Sequence, residues 1–368
     1  MRKLITFILI IVLSVGGYAS PKKSFEIKRG VNLSHWLSQR GENTPSIQDG
    51  MSATDFSRIA RAGFDHVRLP IDEEVLWQEN GQKNKEAFSY LHKGIEWALK
   101  NDLRVIVDLH IVRSHYFNAG NEGKKNSLWE KPEAQTHFLA LWQDLVQELK
   151  GYSTSDVAYE IMNEPTAPNH EDWNKLVEKA YQIIRKVEKE RVIVIGSNMW
   201  QGVDTFQYLK VPQGDEFILL SCHFYEPFLL SHYQAGWTEF GKYQGNVHYP
   251  GYLVSKDEFD SLSADDKKLV ARWRTTPWNR ETLSAFLSKA KRVADEKGLN
   301  LYCGEFGIYE KAPIESALKW YADVISVFDS LNIAWAKWDY KGGFGIYTSQ
   351  NQQKKDLLKV LMSGSGKK

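Results

Sequence analysis

Only two cysteines, Cys222 and Cys303, occur in 368 residues, too few for a disulfide scaffold or a cysteine-bound metal cluster. An excess of charge of one sign is also missing. Lys and Arg number 47 against 46 Asp and Glu, a net charge of +1, and no basic stripe appears. That argues against nucleic acid as the main partner. There is no Gly-x-Gly-x-x-Gly loop or P-loop, no Gly-x-Ser-x-Gly elbow, and no His-x-His or His-Glu-x-x-His pair. Nucleotide cofactors, serine nucleophiles and a resident metal are therefore not expected, and no cofactor is called for. Past residue 20, no apolar run approaches the roughly 20 residues of a membrane-spanning helix.

The N-terminus is a unit of its own. Arg2 and Lys3, the apolar run 4–15 and the small residues around Gly17-Tyr18-Ala19 read as a secretory signal peptide over 1–19. The mature chain, 20–368, is expected to be secreted or periplasmic, free of the membrane after signal cleavage, and monomeric. If His223, Tyr225 and Glu305 face inward on their strands, alternation turns Cys303 inward and Cys222 outward, leaving two free, buried thiols.

What the sequence does have is rhythm. Hydrophobic residues make up 42% and charged residues 25%, ordinary for a chain with a large core. Short β-branched or apolar runs at 30–33, 66–69, 104–109, 157–162, 192–195, 217–222, 301–304 and 333–338 alternate with stretches of helical spacing. Phe138-Leu141-Trp142-Leu145-Leu149 and Leu318-Tyr321-Ala322-Ile325-Phe328 are examples of the latter. Eight buried strands alternating with helices predict an α/β fold, a single (β/α)8 TIM barrel with its site at the strand C-termini. One connection is far too long. Between the sixth strand and the next clear helix run about 50 residues, about 226–279, rich in rings such as Phe228, Tyr233 and Trp237. A small inserted subdomain walling one side of the cleft is expected there, with about half of its rings forming its own core.

Polar residues end the predicted strands. Arg68 ends the second, His110 the third, Asn163-Glu164 the fourth, His223 and Tyr225 the sixth, Glu305 the seventh and Trp338 the eighth. Two carboxylates at two strand ends are the set that glycoside hydrolysis requires, one to protonate the leaving oxygen and one to attack or activate water. Asn163 offers a neutral donor to a sugar hydroxyl. Arg68 beside Glu305 would hold that carboxylate ionised, so the two acids can differ in pKa. Trp338 offers a flat face for the C–H side of a pyranose, and Tyr225 a hydroxyl for the nucleophile or the sugar. His110 and His223 complete the binding set.

Gly30-Val31-Asn32, Val67-Arg68-Leu69-Pro70, Asp108-Leu109-His110, Asn163-Glu164-Pro165, His223-Phe224-Tyr225, Gly304-Glu305-Phe306-Gly307 and Trp338 follow one another along the mature chain. Together they resemble glycoside hydrolase family 5. The resemblance implies a retaining β-glycanase with Glu164 as acid/base and Glu305 as nucleophile, their carboxyl groups about 5 to 5.5 Å apart. The aromatic insertion resembles that of bacterial endo-β-1,4-glucanases, some of which also cut mixed-linkage glucans, so a β-glucan polysaccharide or oligosaccharide is the expected partner. β-1,3-Glucanase, xyloglucanase, β-mannanase and a non-catalytic polysaccharide-binding barrel are the alternatives. One departure stands out: Ile111 follows His110 where many relatives carry a second His, and the next one here is His115.

Overall fold

The computed structural model describes residues 24–42, 44–118, 126–348 and 352–364; the segment read as a signal peptide lies outside the described residues. Eight strands pair in parallel and in chain order into a closed barrel. They are β1 (Arg29–Asn32), β2 (His66–Asp72), β3 (Arg104–Ile111), β4 (Val157–Glu160), β5 (Ile193–Gly196), β6 (Ile218–Phe224), β7 (Asn300–Phe306) and β8 (Ala334–Lys337). Each predicted run supplies one of them.

Around the barrel lie α1 (Ala53–Arg61), α2 (Lys85–Leu99), α3 (Pro132–Leu149), α4 (His170–Val187), α5 (Arg280–Glu296), α6 (Ile314–Leu331) and α7 (Lys355–Leu361). Ser52 and Asp55 close a capping box at the start of α1, and Gly63 and Gly298, at φ +98° and +66°, end the turns after α1 and α5. Between β5 and β6 the crossover is only a 3-10 turn, Val203–Tyr208. That stretch carries no apolar stripe of helical period, so there is no face on which a longer helix could pack.

Inside the barrel, Ile106, Ala158, Val194, Leu219, Tyr302 and Ala336 form an apolar layer against which Phe25 and Ile27 pack. Two residues further along β3 and β4, the inward positions are Asp108 and Glu160, both fully buried. The pleat that fills the barrel with methyl groups therefore lifts charge to the C-terminal mouth.

Strand β7 breaks its own alternation. Cys222 pairs in register with Cys303, but the next residue, His223, pairs with Glu305, so Gly304 is an extra residue in the ladder. A Cβ on Gly304 would lie 2.8 Å from the Ser221 hydroxyl, which is why glycine occupies the bulge. The bulge corrects the parity prediction: Glu305 faces inward as expected, yet Cys303 lies with Cys222 in the layer between sheet and helices. Both thiols are free and buried.

Segment 226–279 carries short helical turns, Phe228–Ser231, Lys256–Ser261, Ala264–Val270 and Ala271–Arg274, and Phe228, His232 and Trp237 from its first part line the cleft at the mouth. Tyr233, Phe240, Tyr243, Tyr249, Trp273 and Trp278 are buried as part of the main core, whereas Trp237 and Tyr252 are exposed. Part of that burial is against the barrel's own helices: the Tyr249 hydroxyl donates to Asp323 of α6 at 2.8 Å, and Trp278 lies 6.3 Å from Phe286 of α5.

Candidate active site

Arg68 is the hub of the mouth. Fully buried, its guanidinium reaches Glu160 (2.7 and 3.1 Å), Glu305 (2.7 Å), Asp108 (2.9 Å) and the side-chain oxygens of Asn32 (3.0 Å) and Asn163 (2.8 Å). One cation thereby faces three buried carboxylates, an arrangement tolerable only because every one of them is hydrogen-bonded. Burial pushes the Asp108 carboxyl up to about 7, with Arg68 pulling the other way.

The two strand-end glutamates sit in unlike settings. Glu305 accepts from Arg68 and, at 2.8 Å, from the Tyr225 hydroxyl. Burial raises its pKa while Arg68 opposes the rise. Burial and then the Glu305 charge keep Tyr225 protonated, so it remains a donor. Glu164 meets the His223 ring, Nδ1 to Oε1 at 2.7 Å, and among the described residues no Lys or Arg lies within ion-pair distance of it. Burial, and next the neighbouring Glu305 charge, push Glu164 well above the usual carboxylate range. Burial, followed by Arg68, keeps His223 neutral.

Glu164 also has a backbone cost. Its φ is +44°, a left-handed conformation that a residue before proline rarely adopts. Three contacts hold it there: its N–H donates to the Gln201 side chain at 3.3 Å, its carbonyl meets His115 Nε2 at 3.2 Å, and Gln201 donates in turn to Glu160 at 3.1 Å. Burial draws His115 down to about 4, so its ring is neutral.

On the opposite wall His110 bonds Asp108 through Nδ1 at 2.7 Å and stacks on Trp338, with ring centres 5.7 Å apart and planes at 6°. Burial, then Arg68, draws His110 down to about 3. The Asn163 amide nitrogen and the Nε2 atoms of His110 and His223 are buried at the cleft floor without a protein partner. They are free to bond a polar ligand. The cleft measures about 1830 Å³, well beyond a drug-sized pocket, and Trp200, Trp237, Phe228, Tyr309 and Phe344 line it with rings.

Glu164, His223 and Glu305 bring three ligand-type atoms within 4.8 Å of one another. The 2.7 Å separation of His223 from Glu164 is a proton-sharing distance, shorter than the roughly 3.4 Å between two ligands held about 2.1 Å from one tetrahedral zinc.

The family model for cellulase (glycosyl hydrolase family 5) matches residues 28–343. The chain belongs to this family. Endoglucanase C of Acetivibrio thermocellus is 31% identical to it over 342 residues, covering 91% of this chain and 97% of the relative. Cellodextrinase A of Ruminococcus flavefaciens is 28% identical, covering 85% of each. Among solved structures, Thermotoga maritima Cel5A in complex with mannotriose superposes with a TM-score of 0.72 at 28% identity, over 91% of this chain and 97% of that one. The chain is accordingly a glycoside hydrolase of the cellulase family with a TIM barrel.

For this family 5 chain the geometry gathers all eight residues singled out from the sequence at one mouth: Glu164, Glu305, Arg68, His110, Asn163, His223, Tyr225 and Trp338. Sequence reasoning missed Gln201 and the support role of His115. Gln201 lies past the end of β5 in a run, Met199-Trp200-Gln201, with φ of +57°, +58° and +54°. No periodicity announces such a turn.

Proposed function

We propose that the protein is a secreted retaining endo-β-glucanase that cuts β-1,4-glucosidic bonds in cellulose-type or mixed-linkage glucans by double displacement. In this reading Glu305 attacks the anomeric carbon while Glu164 protonates the leaving oxygen, and Glu164 then deprotonates the water that releases the glycosyl-enzyme. The observation that carries it is the pairing of a cation-bound, Tyr-bound Glu305 with a cation-free Glu164 whose carboxyl lies within 4.8 Å. That spacing favours retention, since an inverting pair needs roughly 6.5 to 9.5 Å for a water between the carboxyls. Asn163, His110 and His223 would bond sugar hydroxyls, and Trp338 would stack on the sugar. Residues 1–19 would be removed on export, leaving a monomer, and the insertion 226–279 would act as a small subdomain on one cleft wall.

Reducing-sugar release on carboxymethyl cellulose, lichenan, laminarin, xyloglucan and mannan tests the substrate, and proton NMR of early products tests the stereochemistry. Rapid release from the β-1,4-linked glucans with β-configured first products is expected. An initial α product would overturn double displacement, and faster attack on mannan would move the substrate to β-mannan. No release from any polymer would favour a binding barrel.

A further inference from the structure

Lys337, the last residue of β8, is fully buried, yet among the described residues no carboxylate lies within ion-pair distance of its Nζ. It donates instead to two backbone carbonyls, those of Trp338 and Phe344, each at 2.5 Å, and faces the Tyr321 ring of α6 at 5.2 Å. An ammonium hidden from water without a carboxylate in contact is costly, and an apolar side chain would fill the same space more cheaply. Its two carbonyls bracket one turn. At one end stands Trp338, stacked on His110; at the other stands Phe344, edge-on to Tyr225 at 6.1 Å. Gly307 makes room: a Cβ there would lie 2.5 Å from the Trp338 carbonyl oxygen and 3.5 Å from the Lys337 nitrogen.

We propose that Lys337 is a positioning residue: by holding the Trp338 and Phe344 carbonyls together, it fixes the two rings that face the substrate across the catalytic carboxyls. This rests on the reading of the cleft as a glucan site. Burial draws the Lys337 amine down to about 7, the Asp339 charge opposing and the Lys354 charge adding to the fall. Those two groups and Tyr321 are the titratable neighbours that act on it. Below about pH 7 the ammonium has three N–H groups for two carbonyls and a ring face. Above it, the neutral amine keeps two, and bonds to a neutral donor are weaker. The grip on substrate therefore loosens as pH rises through 7.

Two readouts on the full chain test this. The first needs no substrate. The Trp338 indole resonance, assigned with Trp338→Phe, should shift with a midpoint near pH 7 in the wild type and shift clearly less in Lys337→Arg, which cannot lose its charge; what remains there is the contribution of Asp108 through His110. A shift as large in Lys337→Arg as in the wild type overturns the proposal. The second is steady-state kinetics on a neutral cello-oligosaccharide. KM should rise about threefold to tenfold from pH 6 to pH 8 in the wild type, the effect of a lost hydrogen bond. In Lys337→Met it should be high at both pH values, and in Lys337→Arg equal at both. A wild-type KM that ignores pH, matched by Lys337→Met, overturns the proposal. A chain inactive on every glucan overturns the proposed function and leaves the indole titration to decide Lys337. Should Lys337→Met fail to fold, Lys337→Arg and the wild type carry both comparisons.

Discussion

Arg68 donates to Glu305 at 2.7 Å and to neither oxygen of Glu164, whose carboxyl instead meets the neutral His223 ring at the same distance. Two glutamates within 4.8 Å of each other thus receive opposite electrostatic treatment. Two like charges that close cannot both ionise cheaply, so the proton settles on the one without a cation. In the proposed double displacement, the carboxylate that would attack is thus the one beside a cation, and the one that would give a proton is the one without.

This asymmetry predicts different rescues for the two alanine variants. With an aryl glycoside whose leaving group needs no protonation, Glu164→Ala should still form the glycosyl-enzyme. Azide should then restore turnover and yield the β-glycosyl azide. Glu305→Ala lacks the nucleophile, so azide on the vacated face should yield the α-azide. NMR of the products separates the two, and exchanged anomers would reverse the assigned roles.

The Glu305 charge is the second cause, after burial, of the raised Glu164 pKa. Removing it in Glu305→Gln should lower the Glu164 pKa, while burial keeps it above the roughly 4.3 of an exposed glutamate. Carboxyl-carbon NMR of labelled Glu164 measures the change directly. In the active enzyme, kcat/KM should fall on the alkaline side as Glu164 loses its proton, and that limb should lie above the ordinary carboxylate range. An unmoved Glu164 in Glu305→Gln would mean that burial alone sets its pKa.

Trp237 leaves 47% of its surface exposed over the cleft and is braced edge-on against Tyr309, ring centres 4.9 Å apart. A braced ring with a free face is suited to a sugar further along the chain. Trp237→Ala should raise KM for long cello-oligosaccharides by roughly fivefold, about 1 kcal/mol of lost stacking, and leave short ones nearly unchanged. An equal loss for both would deny Trp237 a separate subsite.

Most of this site was legible because a barrel turns sequence into position: each apolar run ends at the mouth, so its last polar residue is displayed there. His110, Asn163, Glu164, His223, Tyr225 and Glu305 follow that rule, and the Trp338 ring stands directly after β8. Arg68 departs from it: β2 runs on to Asp72, and Arg68 reaches the site from the third position of the strand, fully buried, rather than from the strand end expected of it. Cys303 was misplaced because alternation assumes a regular ladder, and the Gly304 bulge resets the count one residue before Glu305. Gln201 was illegible for another reason. Its contacts to Glu160 and to the Glu164 N–H depend on a three-residue left-handed turn that no side-chain pattern encodes. Lys337 reads locally as an ordinary strand-end lysine, and only the return of the chain at Phe344 reveals its two carbonyl partners.

The backbone at Glu164 allows a test of strain apart from chemistry. At φ +44° any side chain with a Cβ is disfavoured, by roughly 1 kcal/mol relative to glycine, and the following Pro165 adds to the crowding. Glycine, however, gains more freedom in the unfolded chain, which takes back part of that advantage. Glu164→Gly and Glu164→Ala remove the same carboxyl and the same bond to His223, so their difference isolates the backbone. Glu164→Gly should match or exceed Glu164→Ala in stability, the reverse of the usual order in which glycine is the worse replacement. Glu164→Gln keeps the side-chain volume but removes a titrating group beside Glu305, and it should be more stable than the wild type at pH values where Glu164 would otherwise ionise. Urea midpoints at pH 5 and pH 8 measure all three. If Glu164→Ala proved the more stable by about 1 kcal/mol, the left-handed conformation would carry no strain, and His115 and Gln201 would have nothing to hold.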